Sequence, residues 1–260
     1  MRTLHIIYIK EETMPNFFVN PEDIKDGEVR IFGDDARHIA RSLRMAEGDA
    51  ITVCDGEGTQ YSATLTRIRD EECTAAISDS RRDFGESPVS VTLFMAYPKS
   101  DKLELIVQKA TELGVSQVTP FESSRCIKRP RADKAEKATA RLERIAKEAA
   151  KQCGRSRIPK ISATVRLCEV VRAISEYDLT LFCYEGASAE HSCRRVLSGI
   201  GKKVQKIAVI VGAEGGFAPE EAEKIISGGA VPISLGERIL RCETAPDFIL
   251  SALSYHFELC

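Results

Sequence analysis

From Val89 to the C-terminus, short β-rich runs alternate with segments whose apolar residues recur at three-to-four spacing. This alternation predicts an α/β domain in which helices cover a parallel sheet. The predicted strands are Val89–Tyr97, Val115–Phe121, Leu179–Tyr184, Ile207–Gly212 and Val231–Leu235, and the predicted helices are Asp101–Leu113, Ala132–Cys153, one after Pro219 and one at the C-terminus. Open sheets of this kind bind ligands beyond the carboxyl ends of their strands. The loops after Tyr184, Gly212 and Leu235 are therefore the first candidates for a site.

The part of the chain before Val89 has a different sequence pattern. Residues 17–80 contain short β-rich runs, separated by glycines, around one helix predicted at Asp34–Arg44; the runs are Ala50–Cys54, Gln60–Arg69 and Cys73–Ser78. This pattern is typical of a small β-barrel domain. The polar segment Arg81–Pro88 separates the two patterns, so we predict domains at residues 14–83 and 88–260. The sequence from Met14 reads like the start of a chain. Residues 1–13, which precede it, are therefore predicted to be an extension outside the fold.

The composition favours a soluble protein of a reducing compartment. The nine cysteines are scattered singly, without a C-x-x-C pair, and therefore predict neither a disulfide framework nor a metal site. The apolar run Leu4–Ile9 is shorter than the core of a signal peptide, and no stretch approaches the thickness of a bilayer. We expect a cytoplasmic protein.

Charge is distributed unevenly along the chain. The formal net charge is −2, but residues 1–88 hold 11 basic against 18 acidic residues, whereas residues 125–160 hold 13 basic against 4 acidic residues. The local net charges are therefore −7 and +9. A basic block of this strength is a candidate surface for a polyanion.

The first candidate loop is Gly212–Phe217, which follows a predicted buried strand and precedes a helix that begins at Pro219. Its glycines permit a tight turn and a close approach to a ligand. Their spacing is neither the dinucleotide fingerprint nor a phosphate loop. A plain strand-to-helix turn explains the glycines equally well.

The second candidate loop, Leu235–Ala245, leads into the last helix. Thr244 is a candidate N-cap for that helix, and Asp247 completes a capping-box-like pattern. An alternative assigns the apolar residues Ile239 and Leu240 to the core and treats the charged residues around them as solvated.

Taken together, these segments closely resemble the small-subunit ribosomal RNA methyltransferase E family (RsmE type) of the SPOUT methyltransferases. The resemblance extends over nearly the whole chain from Met14. It rests on the words Tyr97-Pro98-Lys99, Lys109-Ala110-Thr111-Glu112-Leu113-Gly114-Val115, Gln152-Cys153-Gly154-Arg155, Gly212–Phe217, Leu235-Gly236, Arg238-Ile239-Leu240-Arg241 and Glu243-Thr244-Ala245. Ala213 departs from the family, which usually carries proline there. This change loosens the loop but removes no side-chain contact.

The resemblance implies a SPOUT-type domain with a trefoil knot, an N-terminal PUA-like domain that binds RNA, and a homodimer. It implies S-adenosyl-L-methionine as cofactor and N3 of a uridine in 16S ribosomal RNA, near the decoding region, as the methyl acceptor. The implied cofactor-binding residues lie in the three candidate loops: Tyr184, Glu185, Gly212, Glu214, Gly215, Gly216, Leu235, Gly236, Ile239, Leu240, Thr244 and Ala245.

Individual roles follow from what the ligands require. Adenine needs an apolar slot, for which Leu235, Ile239 and Leu240 are candidates, and ribose hydroxyls need acceptors such as Glu214 or Glu185. A solvated Glu185 is the alternative for that residue. The imide proton of uridine needs an acceptor.

For that proton Glu243 is the candidate base, and Arg241 is a candidate to stabilise the imidate or hold a phosphate. The alternative is that both residues only order the loop, in which case alignment supplies much of the rate.

Two groups of cations are candidate RNA contacts. Arg37, Arg41 and Arg44 lie on one face of the predicted helix with His38 beside them, while Ala36, Ile39, Ala40 and Leu43 face inward. The second group, in the basic block, is Arg125, Lys128, Arg129 and Arg155. A charged face that is simply solvated is the alternative for the first group.

The alternatives to uridine N3 methylation are a SPOUT ribose 2′-O-methyltransferase and a non-catalytic RNA-binding factor in ribosome assembly. In the last helix, Ile249, Ala252, Leu253 and His256 share a face that serves either the core or a partner. We expect the partner.

Overall fold

A computed structural model describes residues 14–127, 134–201 and 203–259 of the chain. These residues form two compact units that divide in sequence between Phe84 and Gly85, within the polar segment Arg81–Pro88. Each unit has its own sheet and its own apolar core.

The N-terminal unit is built on one six-stranded sheet in the order β1-β4-β5-β6-β3-β2. Its strands are β1 (Asn16–Phe18), β2 (Ile24–Lys25), β3 (Glu28–Phe32), β4 (Ala50–Cys54), β5 (Thr59–Ile68) and β6 (Glu72–Arg82). Alternate side chains of β3 are buried, so one face of this strand is directed toward the core. The sequence patterns predicted β4 to β6 but not the first three strands.

The helix of this unit differs from its prediction at the C-terminal end. It consists of α1 (Gly33–Arg37) and a π-helical turn at His38–Ser42. Arg44 lies beyond it, with a left-handed φ of 52°. Ala36 and Ile39 are buried as predicted, but Leu43 is 40% exposed, so its inward assignment was wrong. The π-turn shifts the side chains after His38 relative to a regular helix.

The second unit has the predicted parallel sheet, with its main strands in the order β10-β8-β7-β12-β11-β13 and β9 paired with β8. All its strand pairs are parallel. Its strands are β7 (Ser90–Ala96), β8 (Gln117–Glu122), β9 (Lys160–Ile161), β10 (Val165–Arg166), β11 (Leu179–Cys183), β12 (Lys206–Val211) and β13 (Val231–Ile233). Its helices are α2 (Lys102–Glu112), α3 (Ala135–Cys153), α4 (Leu167–Ala173), α5 (Cys193–Ser198), α6 (Pro219–Ser227) and α7 (Thr244–Glu258).

Helices cover both faces of this sheet, as the alternation along the sequence predicts. In β12, Ile207, Val209 and Val211 point into a core shared with α2, α3 and α7. The intervening residues Ala208 and Ile210 point into a second core shared with α4 and α6. Because successive side chains of a strand alternate between faces, a continuous apolar run is what a two-sided burial requires.

Two predictions for α7 were wrong. Ile249 and Leu253 are fully or almost fully buried in the core of their own unit, so these two residues of the predicted face do not serve a partner, whereas Ala252 and His256 line a groove along α7. Thr244 is the first helical residue and does not cap the helix. The N-cap position is occupied by Glu243, without a side-chain capping bond.

Within the described ranges, no helix combines the length and apolarity that crossing a membrane demands. The trefoil knot stays a prediction of the resemblance.

Candidate functional site

Two adjoining cavities lie at the carboxyl edge of the parallel sheet, with volumes of about 390 and 290 Å³. Loops that follow β11, β12 and β13 line both, as sequence reasoning expected from the strand ends. The cavities share residues from all three loops: Cys183, Glu185, Ala213, Glu214, Gly216, Ile239, Leu240 and Ala245.

The predicted residues divide between the cavities as follows. Gly212 and Arg241 line the first, and Tyr184, Gly215, Leu235 and Gly236 line the second. Glu243 is behind the lining of the first cavity, where its carboxylate contacts the lining residue Lys102. Thr244 lines neither. It faces instead an apolar groove along α7, so the structure does not group it with the other candidates.

The turn Ala213–Gly216 brings the chain back on itself, and the Gly216 amide donates a 3.0 Å hydrogen bond to the Ala213 carbonyl. Gly216 has a φ of +60°, and a Cβ there would stand 2.9 Å from Oε1 of Glu185. The positive φ therefore favours glycine at this position, whereas the exposed Glu185 carboxylate is free to move away from a Cβ. Glycine allows the loops after β11 and β12 to approach each other closely.

An aromatic anchor holds this turn against the sheet. Phe217 is buried, stacks on Phe121 with ring centroids 6.2 Å apart, and meets Phe182 edge-on at 4.9 Å. Tyr184 stacks on the same Phe182 ring at 5.1 Å. Residues that bound the cavity are thereby fixed to the core by well-packed rings.

The second loop presents apolar surface at the cavity rim. Ile239 is 94% exposed, whereas Leu235 and Leu240 are half-buried. The alternative that assigned Ile239 to the core was therefore wrong. An apolar side chain this exposed beside a cavity is a candidate contact for a ligand or a macromolecule.

Lys102, at the start of α2, joins the two loops and was missed by sequence reasoning. Its Nζ lies 3.2 Å from Oε1 of Glu214 and 3.0 Å from Oε2 of Glu243. Glu214 also accepts the backbone N–H of Lys99 at 3.2 Å. The available signal was topological, because the loop between β7 and α2 ends at the same sheet edge as the candidate loops.

These contacts keep both carboxylates charged. Burial acts to raise the pKa of Glu243 and of Glu214. Backbone N–H groups and the Lys102 ammonium outweigh it, so that the pKa of each carboxyl is lowered. Hydrogen bonds to Glu243 and Glu214 raise the pKa of Lys102. Burial and the neighbouring Glu243 raise the pKa of the Cys242 thiol to about 12. The cluster thus presents two carboxylates, one ammonium and a neutral thiol.

Arg241 is the exposed member of the site. Its Nη1 lies 4.0 Å from Oε1 of Glu243, and its side chain is 83% exposed. A guanidinium with this exposure can turn toward an incoming anion.

Among the candidate RNA contacts of the basic block, Arg125 lies directly against the turn Ala213–Gly216. Its Nη1 donates a 3.0 Å hydrogen bond to the carbonyl of Gly215. The adjacent Ser124 amide donates to Oε1 of Glu221 at 2.6 Å and ties the same segment to α6. Lys128 and Arg129 lie outside the described residues.

The structure corrects the prediction for Arg155. This side chain is only 3% exposed, forms an ion pair with Glu86 at 2.6 Å, and donates to the carbonyls of Thr111 and Val115 at 3.0 and 2.8 Å. All of its hydrogen-bonding edge is directed into the fold. It is a structural residue and presents no charge to an RNA.

The arginines near α1 are exposed, as predicted, but two of them have carboxylate partners. Arg37 pairs with Asp34, and Arg41 pairs with Asp70 through Nε at 3.1 Å. His38 packs edge-on against Phe17 at 6.5 Å. The positive potential of this face is therefore weaker than the sequence count suggests.

Comparison with known proteins gives a consistent result for both units. The RNA methyltransferase domain family matches residues 85–254, and the RNA methyltransferase PUA domain family matches residues 33–78. The predicted PUA-like domain is thereby confirmed.

Full-length relatives carry a common name. Ribosomal RNA small subunit methyltransferase E of Bacillus subtilis (strain 168) is 33% identical over 231 residues, which cover 88% of this chain and 90% of that protein. The crystal structure of ribosomal RNA small subunit methyltransferase E from Neisseria gonorrhoeae, bound to S-adenosyl methionine, matches with a TM-score of 0.80 and 30% identity, over 93% of this chain and 97% of that one. A methyltransferase of Legionella pneumophila, solved with bound cofactor SAM, matches with a TM-score of 0.80 and 29% identity, over 93% of this chain and 97% of that one.

The fold, the arrangement of the loops at the carboxyl edge and these matches agree, and the chain belongs to the ribosomal RNA small subunit methyltransferase E family.

Proposed function

We propose that this protein uses S-adenosyl-L-methionine to methylate N3 of a uridine in 16S ribosomal RNA, near the decoding region. The observation that carries the proposal is the pair of cavities formed by the turn Ala213–Gly216 and the loop before α7, with ionised Glu214 and Glu243 beside them. A cavity edged by carboxylates suits a cofactor whose reactive sulfur carries a positive charge.

The residues fit this cofactor. The space beside Gly216 is kept open by the lack of a side chain, since a Cβ there would meet Glu185. Leu235, Leu240 and Ile239 supply the apolar surface that adenine needs. Glu185 is exposed beside Gly216 and is the better placed acceptor for ribose hydroxyls, because Glu214 already accepts from Lys99 and Lys102.

When bound, S-adenosyl-L-methionine supplies a methyl group on a sulfonium for displacement by a nucleophile. The protein must align the uracil ring and remove the proton from N3. Glu243 is ionised and accepts that proton, while Arg241 faces the developing charge on the imide oxygens or an adjacent phosphate.

RNA is bound, in this proposal, by basic side chains of both units. In the N-terminal unit these are Arg37, His38, Arg41 and Arg44. In the second unit they are Arg125, at the edge of the cofactor loop, with Lys128 and Arg129 following it in the sequence. Replacing any one of these arginines or lysines by a neutral residue should weaken RNA binding and reduce its salt dependence.

The test is methyl transfer to small ribosomal subunits from a strain that lacks the modification, with naked 16S RNA in parallel. Digestion of the RNA and mass spectrometry should identify N3-methyluridine at a single position. A 2′-O-methyl nucleoside would instead support the ribose methyltransferase alternative. RNA binding without methyl transfer or detectable cofactor binding would support the non-catalytic assembly factor.

We also propose that the protein is a homodimer that pairs through the outer face of α7. Phe248 and Tyr255 are 41% and 63% exposed there, beside a groove of about 750 Å³ that Leu197 and Ala252 also line. Apolar surface of this kind is typical of a protein interface. The face is distinct from the Ile249 and Leu253 face, which is buried in the core.

Phe248→Asp is expected to convert the dimer to a monomer, because a charge at the centre of an apolar interface loses its hydration without gaining a partner. Analytical ultracentrifugation measures the change. Ile226→Asp is the matched control, since Ile226 is a comparably exposed residue of α6. Dimers that survive Phe248→Asp would place the interface elsewhere.

A further inference from the structure

One ammonium group bridges the two loops that form the site. Lys102 Nζ contacts Glu214, from the loop after β12, and Glu243, from the loop before α7, at 3.2 and 3.0 Å. These loops have no other described ion pair between them. The bridge is provided by a third element, α2, whose adjacent residues Leu103 and Ile106 are buried in the core.

We propose that Lys102 is a positioning residue that fixes the cofactor loop and the loop bearing the proton acceptor in one relative arrangement. The proposal rests on the function proposed above and adds a residue to it. A methyl transfer requires the donor and the acceptor atom to be in line, and misplacement of about 1 Å can cost about 100-fold in rate. A cation held on a rigid helix, and shared by both loops, sets that alignment.

The charge balance of the cluster shows why a cation is needed. Both carboxylates lie within 3.2 Å of one nitrogen, so without Lys102 two negative groups would face each other across a partly buried site. One would then take up a proton or move away. The bridge therefore also keeps Glu243 in the ionised form that proton acceptance requires.

The remaining hydrogen bonds of Lys102 and Glu243 also lie within the cluster. An ammonium has three donors. Two serve the carboxylates, and the third is directed at Sγ of Cys242, 3.7 Å away. The Cys242 thiol in turn donates to Oε2 of Glu243 at 3.2 Å. Lys102 consequently acts through Glu214 and Glu243.

The test compares Lys102→Gln with Lys109→Gln. Lys109 is on the same helix but pairs only locally, with Glu112 at 2.9 Å. Lys102→Gln should lower kcat about 100-fold and change the affinity for S-adenosylmethionine, measured by calorimetry, much less. Lys109→Gln should alter neither. Lys102→Arg, which keeps the cation, should restore a large part of the rate.

A second readout does not depend on turnover. The charged and titratable groups around Glu243 are Lys102, Arg241, Cys242 and Asp247, with Glu214 on the other side of the Lys102 ammonium. Removing Lys102, the less exposed of the two cations, should raise the pKa of Glu243. Carbon NMR of the glutamate carboxyl groups in the free protein measures it, and Glu243→Gln identifies the signal. In turnover, the acid limb of the kcat profile should move to higher pH.

The double variant Lys102→Gln, Glu243→Gln completes the test. If Lys102 acts through Glu243, its removal should cost less in the Glu243→Gln background than in the wild type. Additive losses, an unmoved Glu243 pKa, or an equal effect of Lys109→Gln would each overturn the proposal. Wild-type protein that fails to methylate RNA would refute the proposed function instead, and the NMR titration would still decide whether the bridge controls Glu243.

Discussion

Arg155→Met is expected to destabilise the second unit by about 3–5 kcal/mol, the cost typical of breaking a buried ion pair by removing one partner. The guanidinium meets both oxygens of Glu86 and two backbone carbonyls, those of Thr111 and Val115. Methionine fills similar volume but donates nothing. The variant leaves a buried carboxylate without its cation and removes one donor from each of two carbonyls, of which that of Thr111 still accepts from the Gly114 amide.

The helical circular dichroism signal is a suitable probe for denaturant unfolding, because the long helices α2, α3 and α7 all belong to this unit. Arg144→Met is the matched control. Arg144 is an exposed arginine of α3, and its replacement should change stability by less than about 0.5 kcal/mol. Glu86→Leu should also destabilise the unit, and the double variant should lose less than the sum of the two. A mild effect of Arg155→Met would mean that water replaces the guanidinium.

Arg155 also illustrates what the sequence could not predict. A basic block can be counted from the sequence, but which of its cations has a partner depends on residues far away, here Glu86. The same holds for Arg41, because β4 and β5 separate it in the sequence from its partner Asp70. Charge counts predict a surface only for residues whose partners are local.

Periodicity, by contrast, predicted the sheet of the second unit well. Long apolar runs such as that of β12 are buried on both faces, and local pattern is enough to identify them. Helices α4 and α5 were missed because they span only seven and six residues, too few for a periodic stripe. The short strands β9 and β10 were missed for the same reason.

The sequence predicted which loops form the site, but it predicted only some of the charged groups in that site. The glycines and strand ends located the turn Ala213–Gly216, since backbone conformation leaves a signal in sequence. Lys102 left no signal in the local sequence pattern, because a lysine in the first turn of a helix resembles any solvated lysine. Its role emerges only when β7 and β12 are neighbours in the sheet, which brings α2 to the edge where Glu214 and Glu243 lie.

Glu243→Gln is expected to lower kcat about 100-fold or more, the range typical of removing a general base. Glutamine has the same shape, and its carbonyl oxygen can still accept a hydrogen bond from Lys102, so loop geometry should change little. The variant lacks only the negative charge and the capacity to accept a proton. Affinity for S-adenosylmethionine, measured by calorimetry, should therefore fall far less than turnover.

The pH dependence distinguishes a base from a mere anchor. In the wild type the pKa of Glu243 is lowered, so its ionised form is present above that pKa and activity is lost only as the pH falls through it. In Glu243→Gln this acid limb should disappear. The residual rate should instead rise steadily toward alkaline pH, because the uridine imide then loses its proton to the solvent.

Glu223→Gln is the matched control, since Glu223 is an exposed glutamate of α6, away from both cavities. It should leave kcat and its pH profile unchanged. Unchanged turnover in Glu243→Gln would exclude an essential base at this position. A loss that is uniform at every pH would assign Glu243 to alignment alone, in which case the bridge to Lys102 would be its whole contribution to the reaction.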